Sequence, residues 1–81
     1  NVVAERSDGD WMRDLSAGSE AAVAELREFL RRGLARSVGA RAGLDAVEDF
    51  AQEATVKVLS SLESFRSESR FLTWAMAVAV R

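Results

Sequence analysis

Apolar residues recur along this chain at the three- and four-residue spacing of amphipathic helices. One such stripe predicts a helix over residues 20–38, with members Ala22, Val23, Leu26, Phe29, Leu30, Leu34 and Val38. A second stripe predicts a helix that starts at Asp45, with members Val47, Phe50, Ala51, Ala54, Val58 and Leu62. Apolar and polar residues nowhere alternate over a run long enough for a strand. The pattern therefore predicts an all-α fold.

Capping residues set the expected ends of these helices. Ser19 is the expected N-cap of the 20–38 helix, and Asp45 with Glu48 forms an expected N-cap and capping box. A shorter helix over residues 10–17 is expected to end at Gly18. Gly33, inside the longer helix, either permits close packing of a neighbouring helix or weakens its own.

The last predicted helix, residues 71–80, is apolar almost all round, which indicates burial on more than one face. It is too short for a membrane span, which needs about 20 apolar residues, so a following segment is expected to cover its free face. Residues 1–9 are mostly polar and expected to be flexible. The predicted fold is a small bundle of three main helices plus a short N-terminal one, with a domain over residues 10–81 that is truncated at its C-terminal end.

Composition excludes several chemistries. The 81 residues include neither Cys nor His. Disulfides, thiolate metal sites and the usual general base near neutral pH are therefore ruled out. Glu48 and Asp49 are adjacent, so on a helix they point in different directions. We therefore expect neither an enzyme nor a cofactor or metal site.

Charge is divided along the chain although the net charge is only −2. Residues 27–41 hold five arginines and one acidic residue, residues 45–63 hold five acidic residues and one lysine, and residues 66–81 hold three arginines and one acidic residue. Such zones are typical of solvent-exposed helical surfaces with mixed charges. They would also suit a module that binds two different partners.

Two stretches are candidates for binding. The second predicted helix carries an acidic patch of Asp49, Gln52, Glu53 and Val56, away from its apolar stripe. From spacing alone this patch is a solvated face on which Glu53 and Lys57 form an i,i+4 pair. The other candidate is the break over residues 65–70, where Ser67 or Ser69 is expected to cap the last helix.

The same stretches resemble a known family. The runs DFAQE at 49–53, VKVL at 56–59 and SLESFRSESRFLTW at 61–74 are similar, in order and interval, to region 2 of bacterial sigma factors. Among these they resemble the extracytoplasmic-function (ECF) group of the sigma-70 family. The resemblance implies a cytoplasmic transcription-initiation domain that is not inserted in a membrane. It also implies that the patch of Asp49, Gln52, Glu53 and Val56 docks on the clamp helices of the RNA polymerase largest subunit.

The resemblance further implies that the break captures a base flipped out of the −10 promoter strand. Such a base needs a wall to stack on and polar groups for its edge. Phe65 would be the wall and Arg66 or Arg70 a phosphate contact, with Thr73 facing the single strand. The hydrogen-bonding groups would be Ser67, Glu68 and Ser69. Arg81 would contact a base or a phosphate. Trp74 lies three residues after Phe71, a spacing more typical of core residues than of a stacking platform, so we expect it to be structural.

The chain departs from the group at three places. Ser67 stands where the group usually has Gly, residues 75–77 read Ala-Met-Ala, and Arg81 stands where Asn is frequent. These departures motivate an alternative, a sigma-like interaction module that no longer reads promoters. An anti-sigma factor is a further expected partner.

Overall fold

The computed structural model describes residues 6–38 and 43–81. Within these ranges the chain forms four helices: α1 (Asp8–Ser16), α2 (Glu20–Val38), α3 (Gly43–Ser60) and α4 (Phe71–Ala79). A 3-10 turn, Leu62–Ser64, follows α3. No strand occurs within the described ranges, so the all-α prediction is confirmed.

Helix α1 begins at Asp8, two residues earlier than the sequence pattern predicts. The hydroxyl of Ser7 accepts a hydrogen bond from the backbone N–H of Asp10 at 3.0 Å, which caps the helix. Arg6 forms ion pairs with Asp14 of α1 and, at 2.8 Å, with Glu25 of α2. Residues 6–9 therefore belong to the fold, where a flexible segment was expected, and residues 1–5 lie outside the described ranges.

At the N-termini of α2 and α3, one predicted cap is present and the other is not. Ser19 accepts from the N–H of Ala22 at 3.2 Å, as predicted. The N-cap predicted at Asp45 is wrong, because α3 already begins at Gly43 and Asp45 lies in its first turn. Gly43 has a φ of +78°, a conformation that glycine adopts without steric penalty. Residues 39–42, which connect α2 and α3, lie outside the described ranges.

The core lies mainly between α2 and α3, and α1 and α4 contribute further buried side chains to it. Its largest fully buried side chains are Leu26 and Leu30 of α2, Val58 of α3 and Phe71 of α4. The prediction that Phe50 belongs to this core is wrong, since 49% of it is exposed. Phe50 points roughly 80° away from Val58 around the helix, at the edge of the stripe.

Helix α4 buries Phe71, Ala75 and Val78. A Cβ atom on Gly33 would meet only the flexible end of the Met76 side chain, which would have to shift to make room for it. Gly33 and Met76 also line an open groove of about 710 Å³ between α2 and α4, together with Phe29, Leu72 and Val80 among others. Within the described ranges, no helix is long and apolar enough to cross a membrane.

Candidate functional site

The outer face of α3 presents the predicted acidic patch as one surface. Asp49, Gln52, Glu53 and Val56 are all exposed, Val56 to 55%. At 3.6 residues per turn their side chains fall within an arc of about 100°. The opposite arc carries the buried residues of the helix. A partner could therefore contact all four without disturbing the core.

The acidic patch carries uncompensated charge. In the described part of the chain, neither Asp49 nor Glu53 takes part in an ion pair or side-chain hydrogen bond. The pair expected between Glu53 and Lys57 is not formed. Lys57 instead donates from Nζ to the backbone oxygen of Arg81 at 3.0 Å. Both carboxylates are available to a cationic partner.

An apolar groove of about 360 Å³ lies beside the patch, between α2 and α3. Gln52 and Val56 form part of its lining, together with the half-buried Val23 and Leu59. Sequence periodicity assigned Val23 to the core and gave no signal for a groove, because the gap depends on how closely the two helices pack. The patch thus has an apolar side as well as a charged one.

The break before α4 is organised by aromatic rings. The ring of Phe65 lies 5.4 Å from that of Phe71, edge to face, and 5.2 Å from that of Trp74. Trp11 of α1 stacks on the ring of Phe71, with ring centroids 5.5 Å apart. Ser67, at the turn of the loop, has a φ of +61°. Phe65 is therefore half-buried, with part of its ring already in contact with protein.

A cleft of about 310 Å³ brings most of the predicted DNA-contacting residues together. Its lining includes Phe65, Arg66, Glu68, Ser69 and Arg81. Trp74 also lines this cleft, although its i,i+3 spacing from Phe71 pointed to a purely structural role. The cleft thus offers two aromatic rings, two guanidinium groups and polar side chains within one concave surface.

Arg70 and Thr73 lie elsewhere. Together with Asp8 and Leu72 they line a second cleft of about 230 Å³, at the junction with α1. The Nε of Arg70 is 3.7 Å from Oδ1 of Asp8. The residues predicted as one nucleic-acid site are therefore divided between two clefts, and Ser67 lines neither of them.

The cap expected from Ser67 or Ser69 at the start of α4 is wrong. Neither side chain caps the helix, and the hydroxyl of Ser69 instead lies 3.4 Å from the backbone oxygen of Arg70. The backbone N–H of Phe71 donates to Oδ1 of Asp8 at 3.0 Å. Because Asp8 is 63 positions away in sequence, no local capping pattern could have predicted this contact.

Three charged residues of α2 form ion pairs with one another within the helix. Glu28 accepts hydrogen bonds from Arg31 at 2.9 and 2.7 Å and from Arg32 at 2.9 Å. These contacts, Arg31 first and Arg32 second, lower the pKa of Glu28 to about 2. The described ranges contain no cluster of acidic side chains arranged to hold a metal ion. The chemistry offered is binding by charge, stacking and apolar contact.

Comparison with known proteins gives one match. The family model described as Sigma-70 region 2 matches residues 23–81, well over half of the chain. Searches of curated proteins and of solved structures returned no match. Domains of the matched family are non-enzymatic parts of sigma factors that bind core RNA polymerase and act in promoter melting. The chain belongs to the sigma-70 region 2 family.

Proposed function

We propose that the chain is region 2 of an ECF-type sigma factor with two working surfaces. The outer face of α3 docks on the clamp helices of the polymerase, and the cleft around Phe65 captures an unstacked base of the −10 non-template strand. The observation that carries the proposal is the exposed acidic patch on α3, whose carboxylates have no intramolecular partner in the described part of the chain.

The composition of the patch suits a basic coiled coil. Asp49 and Glu53 supply charge that steers the encounter and fixes register, while Gln52 can donate and accept hydrogen bonds. Val56 lies beside the groove that Val23 and Leu59 line. An apolar side chain of the partner entering this groove would add buried area at the centre of the contact.

The cleft suits a single-stranded base for separate reasons. Phe65 and Trp74 provide ring surface, and base–aromatic stacking contributes about 1–3 kcal/mol per base. Arg66 and Arg81 place positive charge at the rim for a phosphate. Glu68 and Ser69 offer hydrogen-bonding groups to a base edge. Arg70 and Thr73 line the second cleft, and we assign them to contacts with the neighbouring part of the same single strand rather than with the captured base.

The alternative is a sigma-like interaction module that docks on protein but does not read DNA. One observation favours it. Phe65 already contacts Phe71 and Trp74, so less of its ring remains for a base. The two functions make opposite predictions for affinity to single-stranded DNA.

Docking is tested by titrating the 81-residue chain with the isolated clamp-helix coiled coil of RNA polymerase. The double substitution Gln52→Ala/Glu53→Ala should weaken binding by about tenfold or more, the effect of losing contacts at the centre of an interface. Glu63→Ala removes an exposed charge outside the patch and should leave affinity unchanged. No binding by the folded wild-type chain would contradict the docking proposal.

Base capture is tested by fluorescence anisotropy with single-stranded homopolymers of each base. Phe65→Leu is the informative variant, since it removes the stacking ring but keeps apolar volume against Phe71. We expect it to lose about fivefold or more in affinity, within the range that stacking supplies. Arg66→Gln should reduce the salt slope by about 0.7, whereas Arg13→Gln, on the exposed side of α1, should not. No binding of single strands by the wild-type chain would favour the interaction module, and wild-type affinity in both Phe65→Leu and Arg66→Gln would refute capture at this cleft.

A further inference from the structure

We propose that Asp8 of α1 is a positioning residue for nucleic-acid capture, because it caps α4 across the fold and so fixes the end of the base-capturing loop. This inference rests on the proposed function. It assigns α1 a role in the site, although α1 contributes none of the residues that line the cleft around Phe65.

The contact replaces a missing local cap. The first N–H groups of a helix have no partner within that helix. The N-cap residue of α4, Arg70, supplies no side-chain cap. Oδ1 of Asp8 accepts from the N–H of Phe71 at 3.0 Å, and its negative charge lies at the positive end of the helix dipole.

The helix that carries Asp8 is anchored to the rest of the fold. Ser7 caps α1 one residue earlier, and Arg6 joins α1 to α2 through Asp14 and Glu25. The guanidinium of Arg6 also lies 5.2 Å from the ring centroid of Trp11, which stacks on Phe71. The carboxylate therefore projects from an anchored helix.

Both ends of the loop converge on the capped residue. Phe65 begins the loop and packs on the ring of Phe71, while Arg70 ends it next to the capped amide. A shift in the first turn of α4 would move Phe71 and, through it, Phe65 and the wall of the cleft. The cap thus governs whether the cleft is already shaped before DNA arrives, which lowers the ordering cost of binding.

The same carboxylate oxygen also lies 3.7 Å from Nε of Arg70. A phosphate of the bound strand can replace Asp8 as the partner of the exposed Arg70 guanidinium. The amide N–H of Phe71 then still donates to Oδ1 of Asp8. The capping oxygen, rather than the charge of Asp8, is then what capture requires. Asparagine retains that oxygen and is an equally good capping residue, so Asp8→Asn is the variant that should rescue function.

The experiment compares wild type, Asp8→Ala, Asp8→Asn and the same-helix control Asp10→Ala. Three quantities are measured on each folded chain: hydrogen exchange of the Phe71 amide by NMR, affinity for single-stranded homopolymers, and affinity for the clamp-helix coiled coil. We expect Asp8→Ala to speed exchange of the Phe71 amide and to weaken DNA binding by about fivefold, the typical consequence of a lost cap. Clamp-helix affinity should stay within about twofold, since a positioning effect is confined to the loop. Asp8→Asn and Asp10→Ala should behave as wild type.

Two results would overturn the inference while leaving the proposed function intact. One is wild-type DNA affinity in Asp8→Ala. The other is an equal loss of DNA and clamp-helix binding in that variant, which signals general destabilisation. If the wild-type chain binds the clamp helices but no single strand, base capture itself is refuted, and the positioning role with it.

Discussion

Ser67→Gly should stabilise the protein, although glycine usually destabilises a folded chain. Ser67 has a φ of +61°, and it is the only non-glycine residue with positive φ in the described ranges. Holding a side chain in this left-handed conformation costs about 1–2 kcal/mol. Glycine removes that cost but gives the unfolded chain more freedom, which offsets about 0.4–1 kcal/mol. The net gain is therefore about 0.5–1 kcal/mol.

Thermal unfolding followed by circular dichroism can resolve this change. In a domain of this size, about 1 kcal/mol shifts Tm by roughly 4–8 °C, so the variant should melt about 2–8 °C higher. Ser69→Gly is the matched control, because Ser69 lies in the same loop, is equally exposed and lacks a positive φ. It should lower Tm through the same unfolded-state effect. If Ser67→Gly and Ser69→Gly lowered Tm by the same amount, the argument that Ser67 is strained would be refuted.

Three further predictions concern the helices. Glu28→Gln should lower stability above about pH 4.5, and the difference from wild type should vanish near pH 2, since the pKa of Glu28 falls from 4.5 to about 2 on folding; Tm measured against pH tests this. Gly33→Ala should stabilise by up to about 1 kcal/mol in urea unfolding, because alanine is favoured over glycine inside a helix and the added Cβ would meet only the flexible end of Met76. Leu26→Ala should cost about 2–5 kcal/mol in the same assay, since Leu26 is fully buried.

Local periodicity was enough to predict the helices and most of the core. Leu26, Leu30 and Val58 are buried as their spacing predicts, and Asp49 and Glu53 lie on the exposed face opposite. Such predictions succeed because the 3.6-residue repeat decides which side chains share a face before any tertiary contact forms. The same repeat was least informative at the border of a face, where it placed Phe50 in the core.

Contacts between distant segments were not predictable from one sequence. The cap of α4 comes from Asp8, and Arg6 joins α1 to α2, so the site depends on how α1 packs. Arg70 and Thr73 lie outside the cleft around Phe65 for the same reason, since they line a different cleft together with residues of α1. Adjacent positions in a loop can face different clefts, and only the packing of α1 on α4 decides which.

The distribution of ion pairs leads us to one last prediction, which concerns the two carboxylates on the outer face of α3. Acidic residues that take part in an ion pair are Asp8, Asp10, Asp14, Glu25, Glu28 and Glu48. Asp49 and Glu53 take part in none within the described ranges, so a partner need not break an existing pair to reach them. Asp49→Asn and Glu53→Gln should therefore change stability by less than about 0.5 kcal/mol, as is usual for surface substitutions.

The same two substitutions should slow association with the clamp-helix coiled coil and flatten its dependence on salt, since the lost charges steer the encounter. Stopped-flow association rates at low and high salt measure this, with Glu48→Gln as the control that removes a charge outside the patch. Slowing by Glu48→Gln to the same extent would mean that total charge, rather than the α3 face, drives association. A loss of stability in Asp49→Asn or Glu53→Gln would mean that these carboxylates have an intramolecular partner after all, and would remove the observation on which docking rests.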